Sequence, residues 1–200
     1  MERRLMWGAV LLLLRPVYVV LELVVAALTT GDYSLIHDTV SDLGALDCLP
    51  AFCSPSHDLM NGTFIGIGIL LAAGAVLLAP RFGRVPTALL VVAGLSSVVT
   101  GLAPIDQGAT AHALAAAPLF VCQPVALLLL GRAVRGSHSR LAVGLVLTGA
   151  GTAVAAVGFI LAGDAGGAGL WERVALWPVL FALAVAGVVV ARREPAPVQA

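Results

Sequence analysis

Lysine is absent from this chain of 200 residues, and charged residues of either sign make up only 11% of it. A water-soluble domain carries charge on about a quarter of its residues. So sparse a supply, with a mean hydropathy of +1.04, reads as a protein integral to a membrane, and one domain suffices to hold it. Three cysteines are too few for a disulfide framework. There is no Walker loop, no dinucleotide glycine fingerprint and no His-Glu-x-x-His helix. The Gly-x-Ser-x-Gly elbow of α/β-hydrolases is missing as well. No cluster joins basic and aromatic side chains as nucleic-acid binding requires, so nucleic acid is excluded as a partner.

What remains is apolar helix. Runs of about twenty apolar residues span a bilayer core, and six are present: Leu5 to Leu28, Leu59 to Leu78, Val85 to Leu102, Ala111 to Leu130, Leu141 to Leu161 and Leu170 to Val190. The first holds Arg15 and Glu22 and lacks a small-residue cleavage site, which marks a retained helix rather than a signal peptide. Arg3 and Arg4, Arg81 and Arg84, Arg132, Arg135 and Arg140, and Arg192 and Arg193 all fall on one side of such a bundle. By the positive-inside rule that side is cytoplasmic, with both termini on it. The acids Asp32, Asp38, Asp42, Asp47, Asp58, Asp106, Asp164 and Glu172 fall on the other. The expected fold class is therefore all-α, a polytopic six-helix transmembrane bundle. It covers residues 1–193, with a long extracytoplasmic loop at 29–58 and a disordered tail at 194–200. Arginine-only basicity suggests GC-rich coding, hence a bacterial cytoplasmic membrane.

Polar residues that a bilayer should exclude are the functional candidates. An ionisable group at a helix centre costs about 2.5–3.5 kcal/mol on insertion scales. Arg15, Tyr18 and Glu22 share a stripe of the first span, with Arg15 and Glu22 about 10 Å apart along the axis. Snorkelling toward the cytoplasmic face is expected of Arg15. His112 and Gln123 share a face of the fourth span, and Pro118 and Pro124 loosen the backbone between them. Asp42, Asp106, His112 and Glu172 are candidate acids, bases or ligands at the outer face. Asn61, Arg173, Glu22 and Gln123 are candidate substrate contacts, with Arg173 facing an acidic pocket or an anionic head group. Trp171 and Trp177 suit an interfacial belt. Cys48 and Cys53 enclose four residues, a spacing that suits a small disulfide worth about 2 kcal/mol in an oxidising compartment. Gly62 and Gly66, and the Gly149/Gly151 region, suit close helix approach.

The series Tyr33-Ser34, His37 to Gly44, Ser54-Pro55, Asn61, Pro104, Asp106, His112 and Glu172-Arg173 resembles a bacterial membrane family catalogued only as domain-of-unknown-function family 998. That family is distantly similar to the damage-regulated autophagy modulator group. The resemblance implies six spans and a shared set of outer-face polar residues, and it implies no reaction and no cofactor. Three functions then compete. One is an enzyme or binding protein for a membrane lipid or isoprenoid-like amphiphile, with a site that converges at the outer face. The second is a non-catalytic module that assists a partner membrane protein. The third is a small-solute transporter or a metal-dependent membrane hydrolase, the latter drawing on His37, His57 and His112.

Overall fold

The computed structural model describes residues 3–162 and 166–192. The expected tail and Asp164 lie outside the described residues. Six helices are long and apolar enough to cross a membrane. The first span is α1 (Arg3–Leu14) followed by α2 (Val17–Leu28), and the next is α3 (His57–Leu77). A short α4 (Ala79–Phe82) leads into α5 (Arg84–Leu102), followed by α6 (Ala109–Val134), α7 (Ser139–Ala162) and α8 (Ala168–Ala191). Each span packs on the next, and α8 returns to α1, so the spans close into a ring. Leu12, Leu71, Leu90, Leu127, Leu145 and Leu183 fill its core toward the arginine-rich end.

Two interruptions shape the interior. Pro16 has no amide hydrogen to donate to Leu12, and the ladder there tightens: Arg15 N donates to Leu12 O at 3.3 Å and Tyr18 N to Arg15 O at 3.0 Å. The first span therefore breaks between α1 and α2, and Arg15 lies at the break. In α6 the hydroxyl of Ser96, reaching over from α5, enters the helical ladder. It donates to Ala115 O at 2.5 Å and accepts from Leu119 N at 3.1 Å, one turn around Pro118. A side chain inserted in this way satisfies the groups that a proline disturbs.

The loop between the first two spans folds down onto the ring. A two-residue ladder pairs Thr30–Gly31 with Phe52–Cys53, and Cys48 is disulfide-bonded to Cys53. Val40 and Leu43 are buried among Tyr18, Val25, Met60, Phe64, Ile67 and Leu180. The 3-10 turn Ser41–Gly44 is fixed from both sides: Asn61 Nδ2 donates to Gly44 O at 2.8 Å and Ser54 Oγ to Leu43 O at 2.7 Å. A long loop on so apolar a chain satisfies its backbone by becoming the bundle's plug.

The close helix approach is made by glycines other than Gly62 and Gly66, at which a Cβ would meet nothing within 4 Å. It occurs where Gly68 of α3 faces Gly94 of α5, each so near the other's carbonyl that a Cβ could not fit without a shift, and, as expected for the Gly149/Gly151 region, where Gly149 of α7 comes up against Pro124 O of α6.

Candidate functional site

Beneath the plug lies a small cavity of about 40 Å³, walled by Arg15, Tyr18, Ser41, Ser97, Thr100, Gln123 and Glu172 together with apolar side chains. A second space of about 570 Å³ runs between α6 and α7. Its walls are largely apolar, among them Ala113, Ala117, Val121, Val157 and Ile160, with Thr39, Ser41, His112 and Glu172 also lining it. The cavity and the groove share Ser41, Ala116, Phe120 and Glu172 as a common wall.

The candidate residues sort into three groups by what their polar atoms touch. The first is a buried lock. Arg173 Nε donates to Glu22 Oε1 at 2.8 Å, and Trp177 Nε1 donates to Glu22 Oε2 at 2.8 Å. The remaining Arg173 nitrogens donate to the carbonyls of Leu35, Asp38 and Gly169 and to the Tyr33 hydroxyl, at 2.6–3.0 Å. Gly169 N and Leu170 N donate to His37 O and Ile36 O, so this stretch of loop also caps α8. Through these bonds Arg173 ties α2, α8 and the loop together. Trp177, expected in an interfacial belt, turns its ring nitrogen inward to Glu22; Trp171 stays 38% exposed.

The second group belongs to the loop itself. Asp42 Oδ2 accepts from Thr39 N at 2.7 Å and Thr39 Oγ1 at 2.8 Å, while Thr39 Oγ1 accepts from Asp42 N at 3.2 Å. This reciprocal arrangement is a capping box on the turn. Burial pushes the Asp42 carboxyl above its ordinary range, and the Thr39 bonds oppose that. Asn61 holds Gly44, as described. Asp106 Oδ2 accepts from Leu46 N at 3.0 Å and Asp47 N at 2.9 Å. It therefore clasps the long loop to the turn after α5 and does not join His112, and it lines neither the cavity nor the groove.

Burial pushes the Asp106 carboxyl up, but the amides of Asp47, Leu46 and the Gln107 side chain outweigh it and hold the carboxyl below its ordinary range. A lowered folded-state pKa contributes stability above the unfolded value, and that contribution fades as pH falls through the folded one. Amide exchange at Leu46 and Asp47 should therefore lose protection once pH drops below about 4. The Asp106→Asn variant should show weaker protection with no such acid step. Protection in the parent protein that stays flat down to pH 3 would contradict the clasp.

The third group faces the empty spaces. His112 Nδ1 lies 2.6 Å from Ala103 O and Nε2 lies 2.8 Å from Ser41 Oγ. A carbonyl only accepts, so Nδ1 carries a proton toward Ala103 O, and Nε2 shares a hydrogen bond with the Ser41 hydroxyl. A hydroxyl held against an oriented imidazole is the arrangement that raises its nucleophilicity. Glu172 Oε2 accepts from Val40 N at 2.6 Å, and its side chain lines both spaces. Gln123 lines the cavity and makes no side-chain hydrogen bond among the described residues. Arg15 is only 1% exposed, with Nε and Nη1 buried and lacking any partner. Its side chain does not snorkel; the break at Pro16 keeps it inside the ring.

Of the expected set, His112, Glu172 and Gln123 thus line the cavity or the groove. Glu22, Asn61, Asp42, Asp106 and Arg173 hold the plug and helix ends in place. Ser41 and Arg15 are the additions. Ser41 reads in sequence as a turn residue, and only the fold brings it to His112 from 71 positions away. The signal for Arg15 is its charge inside the first span, on one stripe with Tyr18 and Glu22. Among the described residues no three His, Cys, Asp or Glu side chains are grouped to hold a metal ion; His57 instead sets Nδ1 against Ser54 O at 2.9 Å.

No curated protein matches the chain, and no solved structure does. The profile described as "Protein of unknown function (DUF998)" matches residues 13–190, from the end of α1 through nearly all of α8, and so takes in the plug, the cavity and the groove. The chain belongs to the DUF998 family.

Proposed function

We propose that this protein binds a membrane amphiphile, a lipid or isoprenoid-like molecule, that enters sideways between α6 and α7. The observation that carries this reading is the common wall: an apolar groove of about 570 Å³ between two spans meets a polar cavity at Ser41 and Glu172. Binding sites of this kind are mostly apolar, with a few placed polar groups that fix orientation. The tail would lie along Ala113, Ala117, Val121 and Val157, and the head would reach Ser41, His112 and Glu172. Arg173 and Glu22 act as positioning residues, since they hold α8 and the plug where Glu172 and Ser41 can face the head. A transporter would usually show two related halves with broken helices. Here the polar groups instead gather under a plug tied down by a disulfide and a buried ion pair.

Lipid retention tests the reading. Protein moved from native membrane into mild detergent should keep one amphiphile per chain in native mass spectra after bulk lipid is stripped. Mass spectra of bare protein alone, with the plug intact, would overturn it. The plug and its acids face outward and the arginine-rich end faces the cytoplasm, by the charge distribution. Single cysteines introduced at Asp47 and Ser137 report on this in intact cells. An impermeant reagent should modify the first and spare the second, and the reverse pattern contradicts the orientation.

A further inference from the structure

Arg15 is the one buried charge that the lock, the plug and the helix caps do not use. Its side chain is 1% exposed, Nε and Nη1 are buried without a partner, and no carboxylate pairs with it among the described residues. A guanidinium cannot escape this by losing its proton at any physiological pH. Leaving a charge unpaired in an apolar interior is strongly unfavourable, so the cavity beside it is arranged for something the protein itself does not contain.

The chemistry of the wall says what. Ser97 donates its hydroxyl hydrogen to Phe64 O at 2.7 Å and Thr100 donates to Ser96 O at 2.8 Å. Those two hydroxyls have no hydrogen left to offer. Glu172 is an acceptor already engaged by Val40 N. The donors still free to meet a guest are therefore the Arg15 guanidinium, the Tyr18 hydroxyl and the Gln123 amide, all on the cavity wall. A planar fork of N–H groups matches a carboxylate or phosphate in two parallel bonds. The cavity of about 40 Å³ exceeds the roughly 10–15 Å³ that one water occupies by about threefold. That is room for a small oxyanion.

We propose that Arg15, with Gln123, is the anion subsite of this cavity, taking the carboxylate or phosphate head of an amphiphile whose tail lies in the α6/α7 groove. The inference rests on the amphiphile-binding reading, and narrows it to anionic heads. The wall shared at Ala116 and Phe120 is where head and tail would join. Glu172 faces the same cavity from the plug side and, as an acceptor, offers an anionic head no donor, so the head would sit at the Arg15 end of the cavity, away from Glu172.

The test compares probes with one tail and different heads: dodecanoate and dodecyl phosphate against dodecanol, with acetate and inorganic phosphate as tail-free controls. Binding is read by native mass spectrometry and thermal shift on protein held in amphipol. The parent protein should bind the two anionic amphiphiles at least about tenfold tighter than dodecanol. In Arg15→Met that preference should vanish while the empty protein melts no lower, because a partnerless buried charge has been removed. Arg15→Lys, which keeps the charge and loses the fork, should fall between. Equal binding of the three amphiphiles by the parent protein overturns the anion subsite and leaves the amphiphile reading standing. Binding of none of them overturns that reading itself. Binding of acetate or phosphate as tightly as the tailed anions, lost in Arg15→Met, supports the subsite and refutes the lipid source of its guest. Should Arg15→Met melt well below the parent without ligand, Arg15 is a structural tie and the inference fails.

Discussion

Arg173→Gln should destabilise the protein by about 3–5 kcal/mol, the cost of removing one member of a buried ion pair. Glu22 is wholly buried and pairs with Arg173 at 2.8 Å, so the substitution strands a carboxylate against which only Trp177 remains as a donor. The same change frees the carbonyls of Leu35 and Asp38 and the Tyr33 hydroxyl, which loosens the plug from α8. Glu22→Gln alone should cost a similar amount by stranding the guanidinium. The double variant Glu22→Gln/Arg173→Gln should cost less than the sum of the two, because neither charge is then left alone. Thermal unfolding in one detergent, followed through tryptophan fluorescence, measures all three. Strict additivity, or singles that melt with the parent, would show that the pair does not hold the plug.

Ala117→Phe, alone or with Ala113→Phe, should abolish amphiphile retention while leaving the melting temperature nearly unchanged. Both alanines are exposed and line the groove. An added ring therefore lies in the groove and not in the core, and exposed substitutions usually move stability by less than about 0.5 kcal/mol. Phe181→Ala on α8, whose side chain is 51% exposed and lines a separate space between α7 and α8, serves as the control and should retain the amphiphile. Retention by the Ala113/Ala117 double variant equal to that of the control would move the bound molecule elsewhere.

The six spans are legible in sequence because a helix in lipid must be long and continuously apolar, and a composition signal of that size survives any tertiary detail. Their observed ends differ from the expected ones by no more than about four residues, most at the C-terminal end of α6, which runs on to Val134. The grouping of the candidate residues is less legible. Arg173 looks like a free cation at a helix start because sequence shows neither the carbonyls of a loop 135 residues away nor the angle at which Glu22 arrives. Asp106 and His112 are six positions apart, yet their polar atoms turn to different parts of the loop. For Arg15 the sequence leaves two readings, a polar seam shared with neighbouring helices and snorkelling toward the membrane face. The break at Pro16 defeats the second by keeping the guanidinium in the ring. Small-residue spacing misled for a similar reason: Gly62 and Gly66 are open to their surroundings, while Gly68 and Gly94 make the contact. Which side of a helix faces its neighbour depends on packing that its own sequence does not contain.

Photolabelling with a diazirine-tailed anionic lipid, mapped by peptide mass spectrometry, tests the central claim most directly. An amphiphile seated between α6 and α7 predicts that crosslinks concentrate on Ala117, Val121, Val157 and Ile160, that excess unlabelled dodecyl phosphate competes them away, and that Ala117→Phe removes them. Crosslinks spread evenly over every lipid-facing helix, Phe181 and Val185 of α8 included, and indifferent to competitor would contradict it.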